Sequence, residues 1–331
     1  MAENGRGRPG GPASPVEGSG HRPDAACKAE IATVSAQPVA ELSPLRAFWA
    51  AFRENRGAVA GLVVVAFVVL LALGADVIAP YSPTEQFREA VRMPPMWAEG
   101  GSAQFVFGTD SLGRDMLSRL IHGARVSLFI GLAVMGVSFV LGVLLGLACV
   151  SFKGPLGLAV DTAVTRLMDL IMAVPSLVLA ILVVAVLGPN LVNTIVAVTI
   201  VYLPRYVRLV RASALAELGK DYVVAARVAG VGPVRLMFRT VLPNCLSPLI
   251  VQAALGVSDA ILEAAALGFL GLGAQPPTAE WGTMLADARE FIRSDPWMVT
   301  LPGLAILITV VSINLMGDGL RDALDPKMRR S

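Results

Sequence analysis

The chain has 331 residues, 55% of them hydrophobic and 16% charged, whereas a soluble domain carries roughly 25% charged residues. This composition excludes an ordinary soluble protein, and a net charge of only +2 argues against a nucleic-acid binder. Three scattered cysteines and two histidines give neither a disulfide framework nor the ligand spacing of a metal site.

The first 43 residues are rich in Gly, Pro, Ala and Ser and contain no aromatic residue. Such a segment cannot bury enough apolar surface to offset the entropy lost on ordering, so we predict a disordered tail over residues 1–43. No apolar stretch typical of a cleaved signal peptide follows the start. We therefore expect the tail to be cytoplasmic.

A short amphipathic helix is predicted over residues 44–57. Ser43 and Pro44 are favourable at a helix start, as N-cap and first helical residue. The apolar residues that follow fall at helical spacing between arginines; they are Leu45, Phe48, Trp49 and Phe52. This pattern is typical of a helix lying in the membrane interface. The alternative is that these residues form the first turns of a membrane-spanning helix.

Six apolar runs follow, each near or above the roughly 20 residues that a helix needs to cross the hydrocarbon core. They are Val59–Ala79, Val126–Val150, Val164–Leu187, Leu191–Val210, Leu246–Leu270 and Trp297–Met316. Because lipid offers the backbone no hydrogen-bond partners, each run is predicted to be a helix, and none alternates like a β-barrel strand. The sequence therefore predicts an all-α, polytopic membrane protein with six transmembrane helices within residues 58–331.

Lysine and arginine are concentrated in three regions that fall on one side of the membrane if six spans are present. These regions precede the first run, separate the fourth run from the fifth, and form the C-terminus. Both termini are therefore predicted to be cytoplasmic. Arg114, Arg119 and Arg125 disagree, because they precede the second run and would lie outside, where Asp110 and Asp115 partly balance them.

The predicted cytoplasmic loop, residues 211–246, contains a basic amphipathic segment, Asp221–Asn244. Its first half favours a helix that Gly230 ends, because glycine supplies the left-handed conformation that other residues resist. A second short helix is predicted over residues 234–241. Such a segment offers a docking surface to a protein outside the membrane.

The pattern Ala225-Ala226-x-x-x-Gly230, followed after a gap by Leu242-Pro243, resembles the EAA loop of ATP-binding cassette (ABC) importer permeases. In that family the loop forms a coupling helix that docks in a cleft on the ATPase subunit. The resemblance implies an ATPase-coupling role for these five residues within residues 221–243. The family usually has Glu where this chain has Val at position 224, so a polar contact at that position is not implied.

The stretch Phe107–Leu128 resembles a signature at the head of the second span in the dipeptide, oligopeptide and nickel permease subfamily. Its acids and arginines are spaced four residues apart, which predicts two ion pairs along a helix, Asp110 with Arg114 and Asp115 with Arg119. We expect these pairs to brace the extracytoplasmic helix ends, and direct contact with substrate is the alternative.

The stretch Ile261–Leu285 resembles the subfamily's fifth span and the turn after it. Asp259 and Glu263 lie four residues apart, on one face of a helix predicted to cross the membrane. An acid inside the membrane is costly and is a functional hypothesis by default. Either these acids line the translocation path and meet a cationic group such as a peptide amino terminus, or they pair with arginines of a neighbouring helix or subunit.

Two further stretches resemble the same family. Leu301–Ile306 and Asn314–Pro326 match its C-terminal motifs, and the third run matches its pattern of Arg166, Asp169 and Pro175. Arg166 and Asp169 are predicted to pair along one helix face, and Pro175 is predicted to kink the helix.

Catalytic motifs are absent from the sequence. It contains no phosphate-binding loop, no G-x-S-x-G, no H-E-x-x-H and no C-x-x-C. We therefore expect no catalytic residue, no cofactor and no metal on this chain, and we expect partner subunits to use the ATP.

The resemblance covers roughly residues 43–327 and implies a type I ABC importer permease of the MetI-like fold. It implies a homologous second permease, two ABC ATPase subunits, an extracytoplasmic substrate-binding protein and a bacterial inner-membrane location among lipids. The substrate class implied is di- or oligopeptides, while nickel, glutathione and other small solutes share the signatures. Two other classes are weighed: an ion-coupled secondary transporter, which predicts inverted repeats within one chain, and a membrane-anchored structural or sensor subunit.

Overall fold

The computed structural model describes residues 44–152 and 154–324, so the predicted tail of residues 1–43 lies outside the described residues. Within these ranges the chain is helical and contains no β-strand. The α-helices are α1 (Pro44–Glu54), α2 (Arg56–Leu73), α3 (Ala75–Ile78), α4 (Met116–Ser151), α5 (Gly154–Met172), α6 (Ser176–Leu187), α7 (Leu191–Leu218), α8 (Asp221–Val228), α9 (Pro233–Arg235), α10 (Leu242–Phe269), α11 (Trp281–Ala288) and α12 (Trp297–Leu324). Short 3₁₀ turns at Arg88–Ala90 and Arg289–Phe291 and a π-helix at Leu236–Val241 complete the elements.

The helix predicted over residues 44–57 is a separate element, α1, and it ends three residues earlier than predicted. Asn55 separates α1 from α2 and is the N-cap of α2, since its side chain accepts a hydrogen bond from the Ala58 amide at 3.1 Å. Phe52 is buried against Ala58 and Ala323, which fixes one face of α1 on the helical domain. These residues are therefore not the first turns of α2. Their position at the membrane interface stays a prediction.

Among the residues that the structure describes, four helical segments are long and apolar enough to cross a membrane: α2, α4, the continuous segment Pro233–Phe269, and α12. A fifth is counted if α5 and α6 are one span. These two helices meet at a bend of 95°, because Pro175 stands between them and cannot continue a helix. The predicted kink at Pro175 is therefore present, as a complete break.

Helix α7 covers the predicted fourth span but does not join this group. It is long enough to cross, with 28 residues, yet its second half carries Arg205, Arg208 and Arg211. The all-α fold class holds for the described residues, and six spans result when α5 with α6 counts as one span and α7 as another.

The predicted second short helix, residues 234–241, is not a separate element. Helix α9, the π-helix and α10 run on without a break into one 37-residue segment. Pro243 has no amide hydrogen, and its ring would clash with a carbonyl of the preceding turn in a regular α-helix. The wider π turn accommodates it: the Leu242 amide donates to the Met237 carbonyl, five residues back.

Helices α4 and α7 pack closely because small residues of α4 meet large residues of α7. A side chain at Gly142 would overlap Tyr206, and a Cβ atom at Gly146 would lie 2.7 Å from the Cβ atom of Val210. Such small residues let helix backbones approach each other in a membrane. The arginine-bearing half of α7 also contacts α5 and α10, through ion pairs.

Replacing Gly146 with valine is expected to lower the free energy of unfolding by about 1–3 kcal/mol, because the new side chain has no room beside Val210. The thermal midpoint of the purified chain in detergent measures this. Gly136→Val is the matched control, since no atom lies within 4 Å of a Cβ atom at that position. Equal midpoints for the two variants would contradict the close packing of α4 on α7.

Candidate functional site

Three arginines lie on α7 at intervals of three residues: Arg205, Arg208 and Arg211. An α-helix turns about 100° per residue, so each interval falls about 60° short of a full turn. The three side chains therefore descend about 9 Å along α7 while they rotate about 120° around it. The first arginine faces a different neighbouring helix from the last two.

Each of these arginines forms an ion pair with an acid on a neighbouring helix. Arg205 Nη1 lies 3.3 Å from Asp259 Oδ2 on α10, and Arg208 pairs with Asp169 on α5. Arg211 binds Asp161 of α5 through two parallel contacts of 2.6 and 2.7 Å, the bidentate geometry that a guanidinium favours. We call these six residues the charge ladder: Arg205, Arg208, Arg211, Asp161, Asp169 and Asp259.

The charge ladder is partly open to the surroundings. The exposed fractions of its six side chains lie between 25% and 52%. Charged groups within membrane helices do not face lipid, but face the bundle interior or a water-filled cavity. The exposed face formed by α5, α7 and α10 is therefore suited to line an aqueous space.

The predicted pathway acids differ in their surroundings. Asp259 is paired with Arg205, which matches the alternative prediction of an arginine partner on a neighbouring helix. Glu263, one turn further along α10, is half-buried, and its Oε1 atom is buried without a hydrogen-bond partner among the described residues. The Arg205 guanidinium also lies over the Tyr202 ring, 5.2 Å from its centroid. This end of the ladder thus carries one acid more than it has arginines.

The predicted pairing of Arg166 with Asp169 is wrong. Asp169 is drawn across to Arg208 on α7, and Arg166 forms no ion pair within the described part of the chain. Helical spacing places Arg166 and Asp169 near each other, but the Asp169 carboxylate pairs with Arg208 of the neighbouring helix instead. The basic residues of this part of the chain served above only to predict the orientation in the membrane. The regular three-residue spacing of Arg205, Arg208 and Arg211 was the signal that could have indicated a site.

A second group of charges lies on the predicted extracytoplasmic side, and three of its four members, Asp110, Arg114 and Arg119, are buried. Arg114 Nε lies 2.6 Å from Asp110 Oδ2, so the first predicted pair is present. Arg119 Nε approaches the same carboxylate at 3.4 Å, and Asp287 of α11 lies 3.5 Å from Arg114 and 3.8 Å from Arg119. We call these four residues the outer cluster: Asp110, Arg114, Arg119 and Asp287.

The predicted pair between Asp115 and Arg119 is wrong. Asp115 is the N-cap of α4 and accepts hydrogen bonds from the Ser118 amide at 2.8 Å and the Ser118 hydroxyl at 2.6 Å. The amides at a helix start attract a carboxylate more strongly than a distant guanidinium does. Arg119 is only 2% exposed and turns to the outer cluster instead.

Helix α11 is tied to α4 beside the outer cluster. Glu280 caps α11 by accepting hydrogen bonds from the amides of Gly282 and Thr283 at 2.7 and 2.8 Å. The Trp281 indole donates to the Leu120 carbonyl at 3.0 Å. A cavity of about 220 Å³ lies between these elements and is lined by Arg114, Arg119, Gln275 and Asp287, among others. The Trp281 hydrogen bond joins the start of α11 to α4, so this region is a contact between α4 and the segment that follows α10.

The predicted docking segment has the geometry expected at its start. Helix α8 ends at Val228, and Gly230 follows with a φ of +81°. The Val231 amide donates to the Ala226 carbonyl at 3.1 Å and the Gly230 amide to the Arg227 carbonyl at 3.0 Å. These two bonds form a Schellman motif, so the predicted helix end at Gly230 is confirmed.

An apolar surface is exposed around this segment. Ala225 is exposed and Ala226 is half-buried against the domain, while Leu242 is half-buried and Pro243 exposed at the start of α10. Around the alanines stand large exposed apolar side chains, and we call them, with Ala225, the coupling surface: Val224, Ala225, Val228, Val234 and Phe238. A contiguous exposed apolar patch is typical of a site that contacts another protein or the membrane.

The coupling surface is anchored on the end of α7. Lys220 Nζ lies 2.6 Å from Glu217 Oε1, and the Tyr222 hydroxyl donates to the other oxygen of the same carboxylate. Desolvation and the hydrogen bond to the Glu217 carboxylate raise the pKa of Tyr222 to about 12. Within residues 44–152 and 154–324, no group of His, Cys, Asp or Glu is arranged to hold a metal ion.

The chain matches two families. Residues 138–330 match the family described as binding-protein-dependent transport system inner membrane component. Residues 43–95 match the N-terminal TM domain of oligopeptide transport permease C. The first match contains the charge ladder and the coupling surface, and the second contains α1, α2 and α3.

Several relatives are similar to the chain over most of its length. It is 58% identical over 292 residues to the di/tripeptide transport system permease protein DppC of Pseudomonas aeruginosa, covering 87% of this chain and 94% of the relative. It is 56% identical over 289 residues to the dipeptide transport system permease protein DppC of Escherichia coli, with 87% and 95% covered. The corresponding protein of Haemophilus influenzae is 51% identical over 288 residues, with 87% and 96% covered.

The fold is also found in a solved structure. A chain from an inward-facing structure of the MetNI methionine ABC transporter matches with a TM-score of 0.52 and 20% identity, over 63% of this chain and 98% of that one. At this identity the similarity concerns the fold alone. It confirms the predicted ABC importer permease fold class.

Replacing Asp110 with asparagine is expected to destabilise the protein by about 3–5 kcal/mol, because Arg114 and Arg119 then lie buried together with only Asp287 to pair them. Thermal unfolding in detergent measures the loss. Asp76→Asn is the control, since it removes a carboxylate from an exposed pair with Arg125 and should leave the midpoint almost unchanged. An equally small effect of Asp110→Asn would show that the outer cluster does not brace α4.

Proposed function

The chain belongs to the family of binding-protein-dependent transport system inner membrane components, and we propose that it imports di- or oligopeptides as one permease subunit of a larger complex. It is a membrane permease with the ABC importer fold. Because the chain belongs to this family, we prefer an importer permease to the two alternative classes, the ion-coupled secondary transporter and the structural or sensor subunit. We infer that the chain itself is not an enzyme and binds no cofactor.

The substrate class is supported by the relatives. Proteins that are 51–58% identical to this chain are named as dipeptide or di/tripeptide permeases. These names favour peptides over nickel, glutathione or another small solute, because the sequence identity to these relatives extends over 87% of this chain. The inference of a peptide substrate rests on these relatives rather than on any single residue.

The observation that carries the pathway role is the half-exposed charge ladder on α5, α7 and α10. A face of paired charges inside membrane helices needs water or protein opposite it. We infer that a homologous second permease covers this face and that the two permeases enclose the path between them. Asp259 and Glu263 then line the half of the path that this chain contributes.

The remaining partners follow from the same proposal. Two ABC ATPase subunits bind the permeases from the cytoplasm and use ATP, and an extracytoplasmic binding protein delivers the substrate. The complex lies in the bacterial inner membrane, surrounded by lipid, with both termini of this chain in the cytoplasm. The outer cluster then lies on the side where the binding protein arrives.

Coupling to ATP is assigned to the segment 221–243. Ala225, Ala226 and Gly230 shape the start of the segment, and Leu242 and Pro243 join it to α10. The exposed apolar residues of the coupling surface fit a cleft on an ATPase subunit. Because Val224 is exposed where the family usually has Glu, we propose that this contact is apolar in this protein.

Replacing Ala225 with glutamate is expected to abolish peptide uptake, because a long charged side chain would enter the apolar contact with the ATPase subunit. Uptake into proteoliposomes and co-purification of the ATPase subunits are the measurements. Ala225→Ser keeps the residue small and should retain both. Wild-type uptake by Ala225→Glu would remove the coupling surface from the proposal.

Reconstitution tests the proposed substrate. The chain, purified with the subunits that accompany it, is placed in proteoliposomes with ATP inside and a radiolabelled dipeptide and the binding protein outside. ATP-dependent accumulation of the dipeptide is the expected result. Accumulation of nickel or glutathione but no peptide would contradict the peptide assignment while leaving the importer fold intact.

A further inference from the structure

We propose that the charge ladder, together with Glu263, recognises the two charged termini of a peptide and passes them along α7 toward the cytoplasm. The peptide carboxylate meets Arg205, Arg208 and Arg211 in turn, and its ammonium group meets Glu263 and Asp259. This inference rests on the proposed import of peptides, and it assigns the arginines of α7 as specificity-determining residues. The substrate class is a zwitterion with a free amino terminus and a free carboxyl terminus.

The upper end of the ladder supplies both charges that such a zwitterion needs. Asp259 and Glu263 lie one turn apart on α10, about 6 Å along the helix axis. The Glu263 side chain is half-buried, and its Oε1 atom has no hydrogen-bond partner in the described structure, so the carboxylate has spare capacity to accept from an ammonium group that reaches its open side. Arg205 stands beside Asp259 and offers guanidinium donors to a carboxylate. The Tyr202 ring under Arg205 holds that guanidinium in place.

The strength of the pairs changes along the ladder. Arg205 touches Asp259 through a single contact of 3.3 Å, and the two side chains are 52% and 44% exposed. Arg211 forms a bidentate ion pair with Asp161, and these two side chains are only 33% and 25% exposed. Exposed ion pairs contribute little net stability, so the pair at Arg205 is the easiest to open. A substrate can therefore exchange with the ladder first at its upper end.

The spacing of the arginines suits a short peptide. Successive arginines are three residues apart, which is about 4.5 Å along α7. An extended dipeptide spans about 7 Å. The next arginine is therefore within reach of the carboxylate before the previous contact is released. The carboxylate therefore stays within reach of a guanidinium along the ladder, which avoids the cost of an unpaired charge inside the membrane.

Neutral replacement of one rung tests the proposal in the reconstituted complex. Arg205→Gln combined with Asp259→Asn keeps a polar pair and leaves no unpaired charge behind. Dipeptide import is expected to fall by about tenfold or more, because hydrogen bonds to charged groups are lost along the path. ATPase activity stimulated by the binding protein and recovery of the complex should be retained. Arg205→Lys with Asp259→Glu preserves both charges and should keep most of the import.

The control is an ion pair away from the ladder. Arg125 and Asp76 lie 2.9 Å apart at the predicted extracytoplasmic end and are similarly exposed. Arg125→Gln with Asp76→Asn should import dipeptide at the wild-type rate. A drop of the same size in this variant would mean that neutralising any exposed pair impairs the complex, and it would overturn the assignment.

The outcomes separate this inference from the proposed function. If the wild-type complex accumulates no dipeptide, the proposed function fails. If the wild type and the neutral Arg205 variant import equally well, only the ladder inference fails. If that variant does not assemble, Arg208→Gln with Asp169→Asn gives the same test at another half-exposed rung. Failure of both variants to assemble would also contradict the inference, because the pairs would then be a brace rather than exchangeable contacts.

Discussion

Charged side chains inside a membrane protein must be paired or must meet water, and this constraint explains the arrangement around α7. The helix carries three arginines in the half that follows its midpoint. They are held by acids from two helices, α5 on one side and α10 on the other. The small residues Gly142 and Gly146 of α4 set the back of α7 against the domain, so its charged face stays open. The architecture thus positions a polar face that this chain alone does not cover.

The two groups of charges differ in burial, and this difference separates their roles. In the outer cluster the arginines are 2–5% exposed and share one buried aspartate, so removing a partner would strand a charge. In the charge ladder the pairs are loose and half-exposed at one end. The ladder and the coupling surface are also joined by one helical segment. Pro233–Phe269 runs without a break from Val234 and Phe238 of the coupling surface to the acids of α10, so the proposed function predicts that a displacement at the coupling surface reaches the ladder through this segment.

The sequence predicted features that depend on local chemistry. Apolar runs marked the long helices, Gly230 marked the end of α8, and Pro175 marked the break between α5 and α6. It failed where one residue had several possible partners. Asp115 and Arg119 had the spacing of a helical pair, but the helix began at Met116 and turned Asp115 into its cap. Asp169 was near Arg166 in sequence, yet the packing of α5 on α7 brought Arg208 closer. Partner choice of this kind is set by helix packing, which periodicity does not encode.

Water access to the face of α7 in the assembled complex is the most direct measurement of this account. Arg208→Cys would be treated with a charged, membrane-impermeant thiol reagent, and Phe67→Cys on the exposed side of α2 would serve as the lipid-facing reference. The account predicts that the cysteine at position 208 reacts much faster than the one at position 67, and that trapping the ATPase with ATP changes its rate. Equal, slow labelling at both positions in every state would contradict a water-filled path along α5, α7 and α10.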